Sequence, residues 1–288
     1  MPHSPREIQL DIHGNTIAAR QWGDPDGVPV LALHGWLDNC ASFDRLAPHL
    51  TGINLVAADM AGHGQSYHRH QDANYTLWSE IEDVLGMADA LGWETFSMLS
   101  HSRGAVISMV TAATFPERVL RLALIDGLVP PPAEDSEAPE TLRKAIEQRA
   151  RYRNRKPKIF SSLEVAVAAR KNGLFKLTDD AAQRLVARGV RPVGGGYVWS
   201  NDPQLLTSSL SKLNAAQVQA FLDRAVMPIR LALGRDGIQG MIERIRPLAE
   251  RHPNIEVREF AGSHHLHMED GAGEIAGWFQ DFLTDVTA

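Results

Sequence analysis

Phe96-Ser97-Met98-Leu99-Ser100-His101-Ser102-Arg103-Gly104-Ala105-Val106-Ile107 is the stretch on which the fold turns. A short apolar strand pattern ends at Leu99, and a helical pattern running to Ala113 begins at Ala105. Between them lies Ser100-His101-Ser102-Arg103-Gly104, a serine set in a tight strand-to-helix corner. A serine so placed projects its hydroxyl clear of the sheet edge, and the sharp bend demands small flanking residues. This is the nucleophile-elbow pattern Gly-x-Ser-x-Gly, with Gly104 in place and Ser100 standing where the first glycine is expected.

Outward from this corner, strands alternate with helices. Ile8–Ile12 and Thr16–Trp22 read as a hairpin around His13-Gly14-Asn15. Val30–Leu33 and Leu55–Ala58 are short apolar runs, as expected of strands buried on both faces. Ser42–Leu50 and Thr76–Leu91 read as helices, and Leu120–Ile125 as a further strand. The alternation implies a mostly parallel sheet covered on both sides. It breaks after Gly127, where Pro130-Pro131-Pro132 and an acidic stretch precede helical patterns over 141–155, 163–171, 179–188 and 215–223. It resumes with the strand 228–233, the helix Met241–Arg251, the strand Ile255–Phe260 and the helix Glu274–Val286. Residues 1–128 and 226–288 are therefore expected to form one core domain, and 129–225 a helical insertion between its sixth and seventh strands.

Composition narrows the function. The chain has 288 residues, 44% of them hydrophobic, which suffices for a large core. A net charge of −6 provides no field for nucleic acid or an anionic membrane. The N-terminal residues carry no apolar run resembling a signal peptide, and no apolar run reaches the roughly eighteen residues of a membrane span. Cys40 is the sole cysteine. A cytoplasmic monomer or homodimer acting on a small molecule, without a cofactor, is expected. The basic run from Arg143 to Lys158 contains a single aromatic, Tyr152, and reads as the solvated face of a helix rather than a nucleic-acid surface.

Serine at neutral pH needs an imidazole to accept its proton and a carboxylate to orient that imidazole. Ala261-Gly262-Ser263-His264-His265-Leu266-His267-Met268-Glu269 follows the last strand, at the sheet edge that also carries the corner; His264 comes first after the Gly262-Ser263 turn. Two aspartates end strands at that edge, Asp126 and Asp236, and spacing does not choose between them. No carboxylate lies at helical ligand spacing beside a His pair, so no metal site is expected. The amide of Arg103, and that of Trp36 in His34-Gly35-Trp36, are placed to donate to a developing oxyanion.

His34-Gly35, Asp59-Met60-Ala61-Gly62-His63-Gly64-Gln65-Ser66, the Ser102 corner and the His264 segment resemble, in this order, the signatures of the α/β-hydrolase fold. His34-Gly35-Trp36-Leu37-Asp38-Asn39 with Ser42-Phe43-Asp44, and Tyr197–Pro203, resemble the serine hydrolase-like branch. The resemblance implies Ser102 as nucleophile, His264 as base, the Trp36 and Arg103 amides as oxyanion hole, and the insertion as a cap over the pocket. Relatives commonly carry the acid as Gly-x-x-Asp after the seventh strand, whereas Gly234-Arg235-Asp236 is one residue short. Others carry it after the sixth, so Asp126 is favoured and Asp236 is the alternative. His34, Gly35 and His265 are expected to line the pocket. The activity implied is ester or related acyl hydrolysis of carboxylesterase type. Carbon–carbon bond hydrolysis or lyase chemistry on the same residues, and a low-turnover binding or receptor protein, are the alternatives. The Arg103 guanidinium is expected either to pair with a structural acid or to favour a carboxylated substrate.

Overall fold

The computed structural model describes residues 4–153 and 155–285. Strands β1 (Arg6–Ile12), β2 (Asn15–Gly23), β3 (Val28–Leu33), β4 (Ile53–Ala58), β5 (Phe96–His101) and β6 (Val119–Ile125) come first, with α1 (Leu77–Ala90) and α2 (Arg103–Thr114) flanking β5 in sequence. The segment after β6 carries α3 (Ala138–Arg153), α4 (Leu163–Lys171), α5 (Asp179–Gly189), the short strands β7 (Val190–Val193) and β8 (Gly196–Trp199), and α6 (Ala215–Arg224). Then follow β9 (Ile229–Asp236), α7 (Gln239–Arg251), β10 (Ile255–Ser263) and α8 (Ala272–Thr284). The expected end of the last helix, Val286, lies outside the described residues.

Eight strands form one sheet in the order β1-β2-β4-β3-β5-β6-β9-β10. β1, β2 and β4 pair antiparallel, and every pairing from β4 through β10 is parallel. Alternation along β3 shows why its run is wholly apolar. Leu31 and Leu33 face a cluster with Val84 and Met87 of α1, Ile107 of α2 and Ile245 of α7. Val30 and Ala32 face the opposite cluster, with Ile275 and Phe279 of α8. Both faces are dry, so period-2 patterning disappears.

Two expectations differ from what is observed. The segment 42–50 forms two short 3₁₀ turns, Cys40–Phe43 and Ala47–His49, instead of one α-helix. Pro48 lacks the N–H an α-helix would use there, and the Asn39 side chain accepts from the Ala41 amide to start the first turn. The hairpin β7–β8 interrupts the helical segment. Its strands are four residues each, too short for a periodic signal, and Gly195 and Gly196 adopt φ of 90° and 146° at its turn. Within 129–225, α6 lies on α2: Val218 and Leu222 join the main core, and Arg224 Nε donates to the Ala113 carbonyl at 3.1 Å.

At the β5–α2 corner, α2 is pressed so closely on β3 that a Cβ at Gly104 would lie 2.2 Å from the Leu33 carbonyl oxygen. Ser102 is driven to φ 52°, ψ −112°, and its N–H donates to the Ile125 carbonyl at 2.9 Å. Ser100 is buried, and its hydroxyl meets that of Ser108, one turn into α2, at 2.6 Å. The residue in the first glycine's place thus ties strand to helix. Gly104→Ala is expected to cost about 3 kcal/mol or more, because its contact is rigid backbone. Urea unfolding of the variant measures it; a loss under about 1 kcal/mol would mean the corner has room to relax.

Candidate active site

His264 directly follows β10, whose pairing with β9 shifts register between Phe260 and Ser263. Its Nε2 lies 2.9 Å from Ser102 Oγ, and its Nδ1 lies 2.6 Å from Asp126 Oδ2. Asp126 is fully buried at φ 45°, and its Oδ1 accepts the Gly234 amide at 3.1 Å. A carboxylate with both oxygens occupied by donors forces the imidazole proton onto Nδ1. Nε2 is left bare to accept from the serine hydroxyl. Asp236 is exposed at the end of β9, so of the two candidate acids only Asp126 meets His264. Ser102, Leu37 (φ 63°) and Asp126 are three of the four non-glycine residues with positive φ among those described. Backbone strain is concentrated here.

The two candidate oxyanion donors come from different elements. Arg103 is the first residue of α2, so its N–H has no partner inside the helix. The Trp36 amide has no backbone acceptor among the described residues, while its indole Nε1 donates to the Leu205 carbonyl at 2.9 Å. Gly35 is required between them: a Cβ there would sit 2.8 Å from His101 Nδ1 and 2.9 Å from Asp38 Oδ2. His34 is fully buried. Its Nε2 accepts the Met60 amide at 3.0 Å, so Nδ1–H donates to the Gly35 carbonyl at 2.8 Å. It braces two loops and does not line the cavity described below. His63 bridges in the same way between the Leu37 amide and the Ala61 carbonyl.

Behind His264 lies a cluster that no spacing in the sequence announced. His101 Nε2 donates to the His264 carbonyl at 2.8 Å, and His265 Nε2 lies 3.3 Å from Asp38 Oδ2. Arg170, from α4, donates to Asp38 Oδ1. Burial pushes His101, His265 and His267 below the usual imidazole range, so they are neutral at pH 7. His265 is therefore part of this support. Donor atoms of Asp38, His101 and His265 lie within 4.8 Å of one another, a spacing that could hold a metal ion. The Arg170 guanidinium already balances Asp38, however, and would repel a cation placed there.

A cavity of about 360 Å³ opens beside the site, between the Trp36–Leu37 loop and the segment between β6 and β9. Phe175, Leu174, Trp199 and Leu206 line it, and the Phe175 ring lies 5.0 Å from that of His264. Its area is mostly apolar, and its volume falls toward the lower end of the ~300–1,000 Å³ usual for small-molecule sites.

A family model described as the α/β hydrolase fold matches residues 28–271. The chain belongs to that family. It is 32% identical over 282 residues to a serine hydrolase-like protein of Dictyostelium discoideum, covering 91% of this chain and 78% of the relative. To human serine hydrolase-like protein 2 it is 31% identical, covering 92% of this chain and 90% of that one. A crystal structure of a hypothetical protein from Pseudomonas aeruginosa PAO1 superposes with a TM-score of 0.93 at 42% identity, over 97% of this chain and 99% of that chain. Within the family, this chain falls in the serine hydrolase-like branch. Among the described residues, no helix is long and apolar enough to cross a membrane.

The Arg103 side chain is committed to structure. Its Nε and NH2 donate to Glu80 at 3.2 and 2.7 Å, and Glu80 is buried. Arg103→Ala strands that carboxylate. Because the arginine is itself partly solvated, the expected loss is about 2 kcal/mol, short of the 3–5 for a fully buried pair. Chemical denaturation of Arg103→Ala against Arg103→Ala/Glu80→Gln measures it. The double variant is expected to recover most of the loss.

Proposed function

We propose that the protein is a serine hydrolase that cleaves an ester or related acyl bond through an acyl-enzyme on Ser102, His264 and Asp126. The observation that carries the reading is the unbroken relay from Asp126 Oδ2 through His264 to Ser102 Oγ, at 2.6 and 2.9 Å. In this reading His264 Nε2 takes the Ser102 proton as Oγ attacks the substrate carbonyl. Asp126, held by the Gly234 amide, stabilises the imidazolium without taking its proton. The negative oxygen is received by the Trp36 and Arg103 amides, worth about 3 kcal/mol each in comparable sites. His264 then returns its proton to the leaving group, and a water activated by the same nitrogen releases the acid. The segment 129–225 serves as a cap, since it supplies Arg170, Phe175, Trp199 and Leu206 to the cavity wall.

The reading is carboxylesterase-like in bond type. Carbon–carbon bond hydrolysis would use the same relay and is the alternative. The mostly apolar cavity favours an acyl chain over the dense polar contacts a dioxo substrate would need.

Wild-type protein is expected to react with a fluorophosphonate probe and to turn over short p-nitrophenyl esters. Ser102→Ala should abolish labelling and lower kcat/KM by about 10⁴-fold or more. Asp126→Asn should lower kcat by about 10³- to 10⁴-fold through the wrong imidazole tautomer, while Asp236→Asn stays within about twofold. Equal losses in both aspartate variants, or labelling that survives Ser102→Ala, would sink the assignment.

A further inference from the structure

The cavity has a cationic mouth. Arg155, Lys156 and Lys158, all exposed, line one side of it next to Leu174, itself 76% exposed. The basic run to which they belong divides in two. On the helix three of its members are engaged: Arg143 pairs with Glu147, and Arg149 and Arg153 donate to carbonyls of residues 71–73 and to Asp72. Past the helix the engagement stops. Arg155 lies over the Tyr152 ring at 5.4 Å and Lys158 over the Phe160 ring at 5.3 Å, contacts that position a cation without neutralising it. Among the described residues, neither these two nor Lys156 is paired with a carboxylate.

Of the cavity's other charged walls, Arg170 is balanced by Asp38 and Asp202 is a carboxylate, so the positive charge of the mouth comes from Arg155, Lys156 and Lys158. Arg170 lines it with its Nε–H lacking any hydrogen-bond partner. The one acid on the lining, Asp202, is occupied by the Tyr75 hydroxyl at 2.7 Å and the Gln204 amide at 2.9 Å. A helix face that merely kept the protein soluble would carry both signs and lie away from the cavity. Here unpaired positive charge rims a concave apolar surface that reaches Trp36 and Phe175 beside the relay.

We infer that the substrate is an acyl ester or thioester bearing a second, anionic group, a carboxylate or phosphate, separated from the reacting carbonyl by an apolar chain. The chain fills the cavity and the anion rests at Arg155, Lys156 and Lys158. The inference rests on the serine-hydrolase reading and specifies its substrate class.

Two readouts test it on the full chain. The first is the ratio of kcat/KM for the mono-p-nitrophenyl ester of adipic acid to that for p-nitrophenyl hexanoate, which differ in one terminal carboxylate. A ratio of about tenfold, carried by KM, is expected at low salt, as three exposed charges can supply. It should collapse toward one at high salt and in Arg155→Ala/Lys156→Ala/Lys158→Ala, and fall below one in Lys156→Glu/Lys158→Glu. The second needs no turnover: octyl phosphate should bind the wild type more tightly than octanol by calorimetry, and the triple variant should lose that difference. Hexanoate turnover with a ratio of one or less overturns the inference and leaves the hydrolase reading standing. Absent turnover of both esters counts against the hydrolase reading, and equal binding of octyl phosphate and octanol then overturns the inference as well.

Discussion

The absence of space at residue 104 is the constraint on which the site depends. Because α2 starts against the carboxyl end of β3, the chain leaving β5 must reverse within a few residues, and Ser102 takes a backbone conformation that L-residues avoid. One contact thereby sets two things. The serine hydroxyl is lifted off the sheet edge, and the Arg103 N–H is left at the positive end of a helix with nothing inside the helix to receive it. The surrounding packing, with Ser100 bonded to Ser108 and Ser102 N–H bonded to β6, holds the strained turn in place.

Around that turn the polar groups are buried and fixed, not solvated. His34, His63 and His101 each use one ring nitrogen on a backbone group of a neighbouring loop, and burial keeps them neutral. They act as rigid braces whose hydrogen bonds cannot be exchanged for water. The charge is confined to a few carboxylates held by donors and to the arginines that pair with them. In such surroundings, groups aimed at a developing charge need no reorganisation when it appears.

Much of this was legible in the sequence. β3 and β4 were recognisable because burial on both faces erases polar residues, and the corner because only small residues fit it. The order of glycine-bearing loops placed the family. Strand position did not choose between Asp126 and Asp236, since β6 and β9 are adjacent and parallel and both aspartates end strands at one edge; only the resemblance favoured Asp126. Side-chain direction decides which of them meets His264: Asp126 turns inward at positive φ, and Asp236 ends β9 in solvent. The 3₁₀ turns around Pro48 and the β7–β8 hairpin were too short to carry a period. The Asp38–Arg170 contact joins residues 132 positions apart, on elements whose approach no local pattern encodes.

That contact has a counterpart. Arg188 of α5, buried, donates through Nε to Asp59 at 2.8 Å and through NH1 to Glu7, just as Arg170 of α4 reaches Asp38. Both arginines belong to the segment between β6 and β9, and both acids next to the site, Asp38 and Asp59, belong to loops that leave the sheet. The segment between β6 and β9 is therefore not interchangeable by itself. Grafting it from a homologue without arginines at these two places would leave two carboxylates buried without counter-ions, one beside His265 and the other beneath the turn at Gly64. Chimeras of this protein have to transplant these charge pairs across the seam, or remove both members together.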